Sequence, residues 1–148
     1  MYNHILVPLD GSALAEQILP HVQTLANVGT RPRLTLLRAV PREYPDVVEG
    51  GTVTNQVINP MDELLAEAQS YLEQVAKKLR SEGIEVHCEV LIRHPAEAII
   101  EFANQTKPDL IAIATHGRGG IVRLLHGSIT ETIMHATPAP MLVVRATG

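Results

Sequence analysis

The sequence predicts an α/β domain: a doubly wound, open parallel sheet of five strands in the order 3-2-1-4-5, with helices on both faces. Three observations predict it. Short apolar runs alternate with stretches of helical periodicity, the pattern of strands joined by crossover helices. Two runs, ILVPL (5–9) and DLIAIAT (109–115), are apolar almost throughout, as strands covered on both faces are. A third, IEVHCEVLI (84–92), sets Ile84, Val86, Cys88 and Val90 against Glu85, His87 and Glu89, as a strand with one wet face does. The first two belong at the centre of the sheet and the third at an edge, and order 3-2-1-4-5 satisfies both. At 148 residues the chain fits a single domain, 1–148, with one sizeable core.

The elements follow in order. After the strand at 5–9, Ser12 is a plausible N-cap for a helix over about 13 to 28, with Leu14, Ile18, Leu25 and Val28 at helical spacing and Gly29 to close it. RLTLLRAV (33–40) is the second strand. The next twenty or so residues lack periodicity, and a loop that long is often functional. Asn59–Pro60 opens a long helix whose stripe is Met61, Leu64, Leu65, Ala68, Leu72, Val75, Ala76 and Leu79, ended by Gly83. The strand at 84–92 follows. Pro95 opens a helix to about 106 that carries Ala98, Ile99 and Phe102 inward. Then come the strand at 109–115, a glycine-rich stretch, a short helix in SITETIMHAT and a last strand, MLVVR (141–145).

Composition excludes several function classes. Apolar residues make up 45% and charged residues 19%, too apolar a mix for disorder. Twelve Lys and Arg against sixteen Asp and Glu give −4, so the basic surface used for nucleic acid is missing and no such partner is expected. With no Trp and one Phe, little is left for base stacking. The single cysteine, Cys88, fits a reducing compartment. MYNHILVPLDG has no basic n-region, and no window approaches the roughly eighteen apolar residues of a membrane span. A cytoplasmic protein without a membrane partner is expected.

ATHGRGGIVRLLHGSITE (114–131) carries the functional question, with Gly117, Gly119, Gly120 and Gly127 close together after the fourth strand. It is no P-loop, since no lysine precedes Ser128. It is no dinucleotide fingerprint, since Val122 stands where the third glycine belongs. A helix begins near Gly127–Ser128, and the first amides of a helix point outward unpaired. Two readings are open. Ser128 and Glu131 form a Ser-x-x-Glu capping box, which makes a plain capped helix. Alternatively, the glycine backbone and helix N-terminus hold an anion at the switch point between strands 1 and 4, where open α/β sheets bind ligands.

Along nearly its whole length the chain resembles the universal stress proteins. Their ATP-binding members carry Gly-x2-Gly-x9-Gly-Ser/Thr after the fourth strand. Here Gly117, the nine residues 118–126 and Gly127–Ser128 match, with Ala114 in place of the first glycine. ILVPLDGS is similar to that family's first strand and loop, and PAPMLVVR to its last strand. The resemblance implies the adenine nucleotide alpha-hydrolase-like form of the fold, with ATP in the switch-point crevice and any Mg or Mn ion carried by its phosphates. It puts Asp10, with Pro8 and Leu9, at the ribose and adenine, and the backbone of Ala39 at the adenine edge. Ala114, His116, Gly117, Gly127, Ser128, Ile129 and Thr130 belong to the phosphate loop, and Arg118 and Arg123 can add charge-assisted contacts. A role in stress response or signalling is implied, as is a homodimer through the last strand, 140–145. Family members lacking the glycine motif do not bind ATP, so Ala114 matters. If it continues the strand it costs little, as expected here; if it needs positive φ it costs on the order of 1 kcal/mol.

Two other functions stay open: a dimer that binds no nucleotide and acts through protein partners, and a slow ATPase or autophosphorylating protein with Ser128 or Thr130 as acceptor. No catalytic residue is expected, and at most slow ATP hydrolysis or autophosphorylation. No metal site is expected either. His4, His21, His87, His94, His116, His126 and His135 lack paired ligand spacing and read as ordinary polar or surface residues. Cys88 reads as core packing, and Ser12 has no partner histidine for hydrolase chemistry. A receiver domain would need an aspartate ending strand 3 and a lysine ending strand 5, where LIRH and VRAT stand.

Overall fold

The computed structural model describes residues 1–42, 60–116 and 127–147. Its strands are β1 His4–Pro8, β2 Arg33–Ala39, β3 Val86–Leu91, β4 Leu110–His116 and β5 Met141–Ala146, paired in parallel in the order β3-β2-β1-β4-β5. This is the expected order, and burial explains it. Every residue of β1 is buried, as are Leu110 to Ala114 of β4, so both strands need neighbours and cover on each side. In β3, His87 and Glu89 are exposed while Val86 is buried, which only an edge position accommodates.

The helices are α1 Leu19–Ala26, α2 Pro60–Ser81, α3 Pro95–Thr106 and α4 Gly127–Ala136. From β1 the chain steps outward through α1 and α2 to β3, then returns through α3 to β4 and runs on through α4 to β5. Right-handed crossovers in these opposite directions put α1 and α2 on one face and α3 and α4 on the other. The core is one cluster along β1, β2 and β4, closed by Ile18, Val22, Leu72, Leu79, Ile99 and Ile133.

Three expectations need correction. The helix over 13 to 28 is two pieces: a 3-10 turn, Ala15–Ile18, and then α1. Pro20 is the reason. It has no N–H to give to the carbonyl of Glu16, and the Leu19 N–H bonds that carbonyl instead, in the tighter 3-10 pattern. Val28 lies beyond the helix and is exposed. In α2 the apolar stripe reaches the core only from Ala68 onward, and Leu64 is 42% exposed. In α4 the helix already includes Gly127, so Ser128 is the second residue of its first turn and not the cap expected of it.

His4 departs from the surface role expected of the histidines. It is buried at the head of β1, where its Nε2 lies 2.8 Å from Thr35 Oγ1, and its Nδ1 finds no hydrogen-bond partner among the described residues. Next to it, Asp109 ties β4 to β1 by accepting the backbone N–H groups of Asn3 and His4, each at 2.8 Å. Burial holds the His4 pKa below its ordinary 6.5; Arg33 and His87 push the same way, and Asp109 opposes them. The folded-state pKa is therefore depressed. The neutral ring stabilises the fold above 6.5, and that contribution is lost as pH falls from 6.5 through the folded value. Urea unfolding at about pH 7.5 and about pH 5.5 should show the parent losing stability on acidification, and His4→Gln, which does not titrate, losing less. Equal losses would show that His4 does not set the acid limit.

Candidate functional site

The turn after β1 is built by its own side chains. Leu9 extends the strand, its N–H bonding the carbonyl of Leu37 at 2.9 Å. Asp10 Oδ1 then accepts the N–H of Ser12 at 2.8 Å, an Asx turn, while Gly11 takes φ +88°. Ser12 Oγ accepts the N–H of Ala15 at 3.1 Å, so Ser12 does cap the next turn as expected. Oδ2 of Asp10 accepts no hydrogen bond from the described residues.

The neighbouring strand ends complete the setting. Pro8 is in register with Leu37, which brings Asp10 level with Ala39 at the end of β2. Ala39 is buried beside Leu91, and the next residue, Val40, donates to the carbonyl of Leu91 at 2.8 Å. On the other side β1 pairs with β4 at Ile5–Leu110 and Leu6–Ile111. The chain leaves β1 and β4 toward opposite faces of the sheet, which opens a crevice beyond their carboxyl ends. Ala114 is inside β4, buried and in register with Val144, and is not at positive φ. Its methyl therefore carries no left-handed strain, as expected of a strand residue.

The far wall is the start of α4. Gly127, Ser128, Ile129 and Thr130 form its first turn; Ile129 and Thr130 are buried, while Ser128 and Glu131 are exposed. The Thr130 hydroxyl is buried without a hydrogen-bond partner among the described residues. An unsatisfied buried hydroxyl costs roughly 1–3 kcal/mol. His116 ends β4. Gly117, Arg118, Arg123, His126 and the rest of 117–126 lie outside the described residues, as do 43–59. Thus Pro8, Leu9, Asp10 and Ala39 gather on one flank of the crevice, and Ala114 with the first turn of α4 on the other.

Sequence reading missed three residues on the first flank. Arg38 reaches from β2 and sets its guanidinium 5.2 Å from the centre of the Tyr71 ring on α2. The Tyr71 hydroxyl donates to Glu16 Oε2 at 2.8 Å, linking α2 to the 3-10 turn. Burial, then the hydrogen bond to Glu16, hold that hydroxyl above the ordinary tyrosine range, so it remains a donor. One signal was available: Arg38 is a charge inside an otherwise apolar run. Tyr71 and Glu16 carried none.

Elsewhere, burial, then Glu73, push the Cys88 thiol up to about 11, so it is no nucleophile at neutral pH. Among the described residues no group of three His, Cys, Asp or Glu side chains could hold a metal, and no helix is long and apolar enough to cross a membrane.

Comparison with known proteins agrees with this fold. A family model described as the universal stress protein family matches residues 1–145. Universal stress protein MJ0531 of Methanocaldococcus jannaschii is 29% identical, the match covering 98% of this chain and 83% of the relative. Universal stress protein MJ0577 of the same organism is 27% identical over 98% of this chain and 96% of its own. Its structure, solved to assign a biochemical function, aligns with TM-score 0.78 and covers 100% of this chain and 99% of that one, at 28% identity. A universal stress protein solved with cAMP aligns at 0.69 and 18% identity, covering 99% and 98% of the two chains. An Arabidopsis thaliana member solved with AMP aligns at 0.70 and 12% identity, covering 99% and 93%. These last two share the fold.

Gly11 carries a testable constraint on the first flank. A Cβ there would meet Arg38 Nη1 at 3.2 Å, and the backbone is left-handed. Gly11→Ala should lower unfolding free energy by roughly 1–2 kcal/mol, mostly from φ. Adding Arg38→Ala should recover only the steric part in a double-mutant cycle. A Gly11→Ala chain as stable as the parent in urea would remove the constraint.

Proposed function

The chain belongs to the universal stress protein family, and from that membership and this crevice we propose that it binds an adenine nucleotide, ATP foremost, as a cytoplasmic stress-response or signalling protein. One observation carries the reading: the turn of Asp10 and the first turn of α4, with Gly127 and Ser128, stand on the two sides of the switch point. Such a pair suits a ligand with a nucleoside at one end and phosphates at the other. In this reading Pro8, Leu9, Asp10 and the Ala39 backbone hold the sugar and base. Gly127, Ser128, Ile129 and Thr130 hold the phosphates, together with Gly117, Arg118 and His116 from the connecting loop.

The chemistry supports the division. Glycine lets backbone amides approach an anion closely, and a helix N-terminus favours negative charge. The unpartnered hydroxyl of Thr130 lies in that same turn. Universal stress proteins of this fold have been solved with cAMP and with AMP bound, which supports the adenine nucleotide class. A Mg or Mn ion would travel on the phosphates and needs no cluster of ligands from the chain. In this reading turnover is at most slow, and Ser128 or Thr130 is the acceptor of any autophosphorylation.

Assembly follows from β5. Val143 is 40% exposed on a strand whose outer edge has no neighbour among the described residues, and Met141, Leu142 and Val144 are only partly buried. We propose a homodimer through 140–145, an antiparallel and self-complementary contact.

Two measurements test these readings. Gly127→Val should abolish ATP binding in titration calorimetry while circular dichroism stays that of the parent; equal affinity would take α4 out of the site. Sedimentation at micromolar concentration should give a dimer for the parent and monomers for Val143→Lys. A monomeric parent would overturn the interface.

A further inference from the structure

Arg38 is an unusual arginine. It stands in β2 between Leu37 and Ala39, in a sheet that otherwise buries apolar side chains there, and is itself half-buried. Its guanidinium is closely packed. Tyr71 lies over it at 5.2 Å, and Gly11 backs it so closely that an added Cβ would sit 3.2 Å from Nη1 and 3.4 Å from Cζ and from Nη2. The ring is itself fixed by its bond to Glu16. The planar group is therefore packed against α2 and the turn after β1. Yet among the described residues its N–H edges meet no acceptor: it makes no ion pair and no hydrogen bond.

A guanidinium packed in place, with its N–H groups unused by the described residues, is a preorganised donor. Its place decides what it serves. It adjoins Asp10 through Gly11 and Ala39 through the chain, on the nucleoside flank. From β2 to β4 is two strand spacings, on the order of 10 Å, so it is separate from the phosphate flank at α4.

We propose that Arg38 is a specificity-determining residue that donates hydrogen bonds to the sugar or base of the bound nucleotide. This rests on the adenine nucleotide reading and deepens it: the site reads the nucleoside half with a side-chain charge as well as with backbone. Tyr71 is the positioning residue that holds the fork.

The contrast with a phosphate contact gives the test. Calorimetry with adenosine and with ATP should show Arg38→Ala weakening both by the same factor, about tenfold. Arg38→Lys keeps a cation beside Tyr71 but loses the planar fork; it should keep the parent's melting temperature and still bind both ligands more weakly. Tyr71→Phe, which keeps the ring but loses the bond to Glu16, should weaken binding of both ligands less than Tyr71→Leu, which removes the ring. In the parent, the Arg38 side-chain Nε–H resonance, assigned by its absence from Arg38→Lys, should move when adenosine is added. A purely structural Arg38 would leave that resonance in place and would let Arg38→Lys bind normally, and either result overturns the proposal. A loss for ATP alone, with adenosine unaffected, also overturns it, by moving Arg38 to the phosphates. A parent that binds neither ligand defeats the nucleotide reading itself and this inference with it; a parent that binds both while Arg38→Ala binds equally well defeats only this inference.

Discussion

Two apolar strands lying side by side, β1 and β4, impose the arrangement of everything around them. Ile5, Leu6, Val7, Ile111, Ala112 and Ile113 have no exposed surface at all. Burying each of the larger side chains is worth roughly 1.5–3 kcal/mol, so exposing one face of this pair would cost an amount comparable with a domain's whole stability margin. Both faces must therefore be covered. The chain does so by sending successive crossovers away from the pair in opposite directions, α1 and α2 to one face, α3 and α4 to the other. A crevice at the carboxyl ends is a geometric result of that choice, independent of any ligand.

The two walls of the crevice are held by different physics. The β1 wall is a side-chain construction: Asp10 closes an Asx turn, Gly11 supplies a left-handed residue, and Arg38 packs behind it, steadied by Tyr71 and Glu16. The β4 wall is a backbone construction, in which a strand ends and a helix begins with a glycine in its first turn. A rigid wall with directed donors discriminates between ligands, whereas a helix terminus supplies affinity for any suitably placed anion. A nucleotide, with a distinctive nucleoside and a generic phosphate chain, matches that division of labour.

The sheet edges differ in a similar way. β3 faces outward with Glu85 and His87 in a hydrogen-bonded pair at 3.2 Å and with Glu89 exposed, charges that discourage pairing with another chain. β5 carries only Arg145 outward beside Val143. Its C-terminal end is held from within: Gln17 donates to the carbonyl of Thr147 at 2.6 Å and accepts its N–H at 3.0 Å. The last strand is thus fastened to the 3-10 turn after β1, while no described strand pairs with its outer edge.

The sequence by itself determined strand identity, strand order and the position of the crevice, because these follow from where apolar residues run continuously and where they alternate. ILVPL and DLIAIAT could only be central, and IEVHCEVLI could only be an edge. It also identified Ser12 as a cap and Ala114 as a strand residue, since both depend on neighbours in the chain. Tertiary structure decided what depends on partners far away. Leu64 fits the helical period yet stays exposed, because periodicity says which face turns inward and not how far the core extends. His4 is buried because Thr35, thirty-one residues on, is there to bond it. Above all, Arg38, Tyr71 and Glu16 meet across β2, α2 and the 3-10 turn. No spacing encodes such a contact: charge, ring and carboxylate are brought within reach only when the sheet and its covering helices pack.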